Sequence, residues 1–172
     1  TLLPEKPMFE NFGIAWSKAP FGRYITNTLM IVFFNVIGAV FSNSLIAYGF
    51  AKIKFTGRET LFKVVLATMM IPGFVTLVPT FVIMSKLHWV NTYLPLIVPV
   101  FCGNAFHIFM MRQFYQTIPN ELSEAARVDG AGHFYIWGKL IMPLTKPIMA
   151  TVALVNFKNA WGDFQGPLLY LS

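Results

Sequence analysis

The sequence predicts an all-α, polytopic helical membrane protein, and three observations carry that prediction. Of 172 residues, 56% are hydrophobic and only 12% are charged, against roughly 25% charged in an ordinary soluble domain. No Lys, Arg, Asp or Glu interrupts residues 24–51, 64–85 or 87–111. The basic residues gather at the ends of these apolar stretches, where they set orientation; they form no patch or arginine-rich run, so the net charge of +6 does not point to nucleic acid. A hydrocarbon core about 30 Å thick takes roughly 20 helical residues to cross. A charge at its centre costs about 2.5–3.5 kcal/mol on insertion scales. Gaps of 28, 22 and 25 residues therefore read as membrane spans.

Residues 1–23 mix Pro, Glu, Lys and aromatics, which suits a segment lying on the membrane surface. No basic-then-apolar start marks a secretory signal, and the absence of an initial Met reads as an internal piece of a longer protein. The first span is 24–51, where Gly38 and Ser42 have the small-xxx-small spacing that lets helices approach closely. The second, 64–85, contains Pro72, Gly73 and Pro79 and is expected to be kinked. A tight connection, 86–91, places Trp89 at headgroup level before the third span, 92–111, which holds Pro95, Pro99 and His107. The fourth, 147–171, is interrupted by Lys158 and Asp163. Four Lys/Arg in 52–63 and four in 112–146, against one in 86–91, put the first two links on the cytoplasmic side.

The long link, 112–146, has its own local order. Asn120 is the expected N-cap, and Glu121 and Glu124 fall in the first turn, where they complement the helix dipole. Leu122, Ala125 and Ala126 make a narrow stripe of mostly small apolar residues, and Gly130 and Gly132 permit a sharp turn. A second helix over 133–140 presents Phe134, Trp137 and Leu140 before Met142-Pro143 stops it. Two readings stay open on these grounds: a docking knob for a cytoplasmic partner, or an interfacial helix pair that caps the bundle.

Polar groups within the last apolar segment are the candidates for a solute path or a gate. Lys158 lies about 18 Å along a helix from Lys146, deep in the bilayer. Asn156, Asn159 and Asp163 follow an i, i+3, i+7 pattern and share one face, with Gln165 beyond them. Lys158 and Asp163 point apart on a regular helix, but Gly162, Gly166 and Pro167 loosen it and allow them to meet. Amide and carboxylate groups suit hydroxyl-rich solutes; the same groups also serve packing against neighbouring helices. Cys102 alone excludes an internal disulfide. His88, His107 and His133 lack metal-ligand spacing, and no nucleophile–base grouping stands out, so neither a metal nor enzymatic chemistry is expected.

The long link also resembles a known family. Glu124-Ala125-Ala126, three residues, Gly130, nine residues, then Leu140-Ile141-Met142-Pro143 resembles the "EAA" loop of permeases from binding-protein-dependent ABC importers, whose pattern is Glu-Ala-Ala, three, Gly, nine, Ile-x-Leu-Pro. The stretches at 21–29, 67–72, 89–93, 112–115 and 161–164 are similar to recurrent segments of its maltose-type, carbohydrate-uptake branch. Gly132 stands where the branch often has Ser or Thr, and Gly162 where it often has Asn.

The resemblance implies a permease subunit in a bacterial inner membrane, with its loop on the cytoplasmic side. Glu121, Glu124, Ala125, Ala126, Asp129, Gly130, Leu140 and Pro143 are then the residues that couple it to an ATPase. It implies as partners a second homologous permease, two ATP-binding subunits, an extracytoplasmic solute-binding protein and membrane lipid. Family members usually have about six spans, so the first and last are expected to be missing here. No Walker-type Gly-rich loop occurs, which leaves ATP and Mg to a partner chain. A gradient-driven transporter is the rival, yet the first three spans hold no acidic group. A channel or a membrane-bound enzyme leaves the glycine-cornered loop unexplained.

Overall fold

A computed structural model describes residues 8–171. The expected surface segment at 1–23 therefore lies partly outside the described residues. Its described part forms α1 (Glu10–Lys18), which has no buried residue and exposes Phe12, Ile14 and Trp16. Every other described element is helical too, with no strand. The order is α2 (Phe21–Lys52), α3 (Arg58–Ala67), α4 (Gly73–Lys86), α5 (Leu94–Ile97), α6 (Ala105–Gln116), α7 (Asn120–Val128), α8 (His133–Tyr135), α9 (Met142–Leu144), α10 (Lys146–Trp161) and α11 (Gln165–Tyr170).

Helix α2 is the axis of the fold: α6 and α10 both pack along it. By length and composition, two helices can cross a membrane, Phe21–Lys52 and Leu94–Gln116; the number rises to four if each of two bent pairs is one span.

The stretch expected as a kinked second span is two helices with a break between them. Arg58–Met70 and Gly73–Lys86 meet at 99°. The break falls at Ile71 and Pro72, both extended (ψ 116° and 135°), because a residue preceding proline is pushed out of the helical region. Pro79, by contrast, stays inside α4. The third stretch also departs from a single rod ending at Met111. After α5 it tightens into a 3-10 segment, Val98–Cys102, breaks at Gly103, and resumes as α6 as far as Gln116. Arg112 therefore sits within a helix, not beyond it. The fourth stretch ends at Trp161, and α11 is a separate helix after the Gly162 turn.

Broken helices leave backbone groups unpaired, and in lipid each must find a partner. Three side chains of α2 supply them. Asn35 Nδ2 donates to the Leu96 carbonyl at 2.9 Å, Ser42 Oγ to the Val100 carbonyl at 3.2 Å, and the Asn104 N–H donates to Asn43 Oδ1 at 2.6 Å. Gly38 completes the fit, since a Cβ there would lie 2.7 Å from the Phe101 ring. Its small-residue spacing thus serves contact within this chain. At one end of α2, Arg112 makes both of its contacts to Glu59 through Nη2, at 2.7 and 2.9 Å, and lies 4.0 Å over the Phe62 ring.

Asn43 is fully buried and holds Asn104 in place. Replacing it (Asn43→Ala) should lower unfolding free energy in detergent by about 1–3 kcal/mol, and Ser42→Ala by no more than about 1 kcal/mol. Denaturation followed by tryptophan fluorescence measures both.

Candidate functional site

The loop is built on a helix with a glycine corner. Helix α7 ends at Asp129, and Gly130 adopts φ 84°, a conformation that side chains other than glycine's rarely take. The Ala131 N–H donates to the Ala126 carbonyl at 2.9 Å and the Gly130 N–H to the Arg127 carbonyl at 2.9 Å, the Schellman pair that satisfies the helix end. The other end differs from expectation. Asn120 is not the cap; Pro119 is, with no side-chain cap bond, and Asn120 Oδ1 instead accepts from Lys52 Nζ at 2.9 Å. Lys52 Nζ also donates to the Ile118 carbonyl at 2.6 Å, so one ammonium ties α2 to the start of the loop.

The second half of the loop runs past Pro143 instead of stopping there. Helix α8 continues through a π segment, Ile136–Ile141, into α9. Its wider turn displaces the carbonyl ladder that a proline would otherwise meet. The chain turns at Thr145, whose Oγ1 donates to the Ile141 carbonyl at 2.9 Å, and α10 leaves at 83°. Trp137 is buried, not presented outward: its Nε1 donates to Ser44 Oγ at 2.9 Å, and Ser44 is 2.7 Å from the Tyr115 hydroxyl. Three elements, α2, α6 and the loop, thus share one buried polar knot.

The loop residues divide by face. Glu121, Glu124, Ala125, Asp129, Gly130 and Pro143 are exposed, while Ala126 and Leu140 pack against the core. Leu122, Val128, Phe134 and Tyr135 are exposed as well, Val128 at 89% and Phe134 at 75%. Val128 and Tyr135 escaped the sequence reading. Their signal was an apolar residue on each side of the glycine corner.

The polar groups of the last segment separate in the same way. Asn156, Asn159 and Asp163 line a cavity of about 400 Å³, and Lys158 and Gln165 do not. Thr28, Asn35 and Trp161 also line it. Asn35 escaped the sequence reading; its signal was an amide inside an apolar stretch. Asn156 Nδ2 donates to the Val152 carbonyl at 3.0 Å and lies 3.3 Å from His107 Nδ1. No ion pair joins Lys158 to Asp163 among the described residues. Asp163 Oδ1 accepts instead from the Gly166 N–H at 2.9 Å, because the chain turns back at Gly162 and puts that donor nearest.

Residues 43–172 match the family described as binding-protein-dependent transport system inner membrane component. The chain belongs to that family. Its members are membrane transport components, so the helices above are those of a multi-pass membrane protein. The chain is 30% identical to the sn-glycerol-3-phosphate transport system permease protein UgpE of Yersinia enterocolitica, over 100% of this chain and 63% of that one. It is 32% identical to the diacetylchitobiose uptake system permease protein NgcG of Streptomyces coelicolor, over 96% of this chain and 55% of that one. Its fold matches a chain of a bacterial ABC transporter involved in the import of the acidic polysaccharide alginate, with a TM-score of 0.87 and 27% identity, covering 99% of this chain and 60% of that one. The chain therefore spans less than two thirds of the length of these relatives.

The knot at Ser44 sets one expectation for this family member. Trp137→Phe keeps a ring and removes the N–H, at a cost of about 1 kcal/mol. Amide exchange across 133–144 should then speed up about fivefold, measured by mass spectrometry.

Proposed function

We propose that this chain is the transmembrane permease subunit of an ATP-driven importer and forms part of the path of a sugar or oligosaccharide. It couples to separate ATPase subunits through the loop at 120–143. The observation that carries the reading is the loop itself: a Schellman-cornered helix with an exposed outer face, bonded through Trp137 and Lys52 to the longest helix of the fold. Apolar groups such as Leu122, Val128 and Phe134 stand out from it, which suits a surface that a partner covers. Ala125, exposed on α7, leaves room for close approach in a groove, and the exposed Glu124, one residue before it, supplies a charge-assisted bond to a basic group of the partner.

The cavity supports the solute class. Its polar lining consists of Asn amides, a Thr hydroxyl, an indole and one carboxylate, without Lys or Arg. Such a lining favours a neutral, hydroxyl-rich solute, and the relatives' names include a chitobiose derivative. The positive-inside tendency puts the loop on the cytoplasmic side of a bacterial inner membrane. The partners that follow are a second homologous permease, two ATP-binding subunits carrying ATP and Mg, an extracytoplasmic solute-binding protein and lipid.

Reconstituted with these partners, the chain should support solute uptake that vanadate blocks. Ala125→Trp and Gly130→Arg should each abolish uptake and uncouple ATPase stimulation while membrane insertion stays normal. Unchanged uptake in either variant would refute the docking role.

A further inference from the structure

Behind the loop lies a second cavity, which shares Lys52 and Glu124 with the proposed coupling but whose other basic groups coupling does not use. It is a cleft of about 500 Å³ between the end of α2, the start of α3 and the inner face of α7. Lys52, Lys54, Arg58 and Arg127 line it with His133 beside them, and Glu124 is the single acidic residue in the lining. Arg58 also pairs with Glu59 at 3.0 Å. None of the four cations forms an ion pair with Glu124 among the described residues, which leaves the cleft with excess positive charge.

Ser123 is an independent pointer to a ligand. It lines the cleft and is 5% exposed, yet its buried Oγ has no hydrogen-bond partner. An unpaired buried hydroxyl costs about 1–3 kcal/mol, so an oxygen from outside the chain, of a water or of a ligand, is expected beside it. An anion with several acceptor oxygens answers both features. It takes the Ser123 O–H as a donor and charge-assisted bonds from Lys and Arg.

We propose that this cleft binds a phosphate group. Lys52 is the last residue of a 32-residue helix long enough to span a bilayer, so the cleft opens where α2 leaves the apolar core. That is the level of lipid headgroups, and basic pockets between spanning helices hold anionic ones. The phosphodiester of an anionic lipid and a soluble phosphate share this chemistry. The site depends on α2 crossing a membrane and not on ATP-driven transport, so it stands or falls separately from the importer reading.

The full-length chain, purified in neutral detergent, can be tested by native mass spectrometry with phosphatidylglycerol, phosphatidylcholine or inorganic phosphate. Phosphatidylglycerol should be retained over phosphatidylcholine. Arg127→Gln should weaken its binding about tenfold and Ser123→Ala about threefold, with unchanged helix content. Retention that survives excess inorganic phosphate assigns the ligand to lipid; displacement by inorganic phosphate, with the same dependence on both variants, assigns it to a soluble phosphate. The proposal is overturned if neither phosphatidylglycerol nor phosphate binds above phosphatidylcholine, or if both variants bind as the wild type does.

Discussion

A chain that breaks its helices within lipid must satisfy the backbone groups it exposes, and one helix here does so for its neighbours. Asn35, Ser42 and Asn43 face the interrupted stretch at 94–104 and bond its stranded carbonyls and N–H. The next residue of α2, Ser44, meets Tyr115 and Trp137, and at the helix end Lys52 holds Ile118 and Asn120. Packing among apolar side chains gives little orientation in a solvent that is itself apolar, whereas these bonds are directional. The polar side chains of α2, spread over several of its faces, therefore set where the broken segments and the loop lie.

This arrangement makes the loop a stiff extension of the spans. Its two halves are locked by the Schellman corner on one side and by the Trp137 knot on the other. On the proposed coupling, a displacement at the outer face of α7 would reach α2 through the Lys52 bonds, and Asn35 of α2 lines the cavity. The cavity and the loop, though far apart in sequence, thus lean on the same helix. The exposed Val128 and Phe134 fit the same proposal, since they add apolar area to the face proposed for docking.

Much of this was legible in the sequence for identifiable reasons. Charge-free stretches mark what lipid tolerates, and Gly130 just past a predicted helix marks the turn it makes, at φ 84°. Asn156 and Asn159 share a face by helical period, whereas Asp163 reaches the same cavity only after the chain has left α10 at Gly162. Where helices break was not legible. Pro72 ends a helix and Pro79 does not; Pro143 is passed because a π segment precedes it. In the stretch at 94–104 the freed backbone groups are taken up by Asn35, Ser42 and Asn43, which are distant in sequence. Asn120 misled for the same reason: its side chain was claimed by Lys52, from α2, before it could cap its own helix. Trp137 looked like a surface aromatic because nothing nearby reveals that Ser44 waits for its N–H.

The account is tested most directly by asking what touches the outer face of α7. With Cys102 replaced by Ser and Val128→Cys introduced, an assembled complex should give a disulfide or short bifunctional cross-link from residue 128 to an ATP-binding subunit. The same cysteine should react with an impermeant thiol reagent only after the membrane is opened. Labelling of residue 128 from outside intact cells, with no cross-link, would contradict the central claim that this loop transmits force to α2 from the inner side.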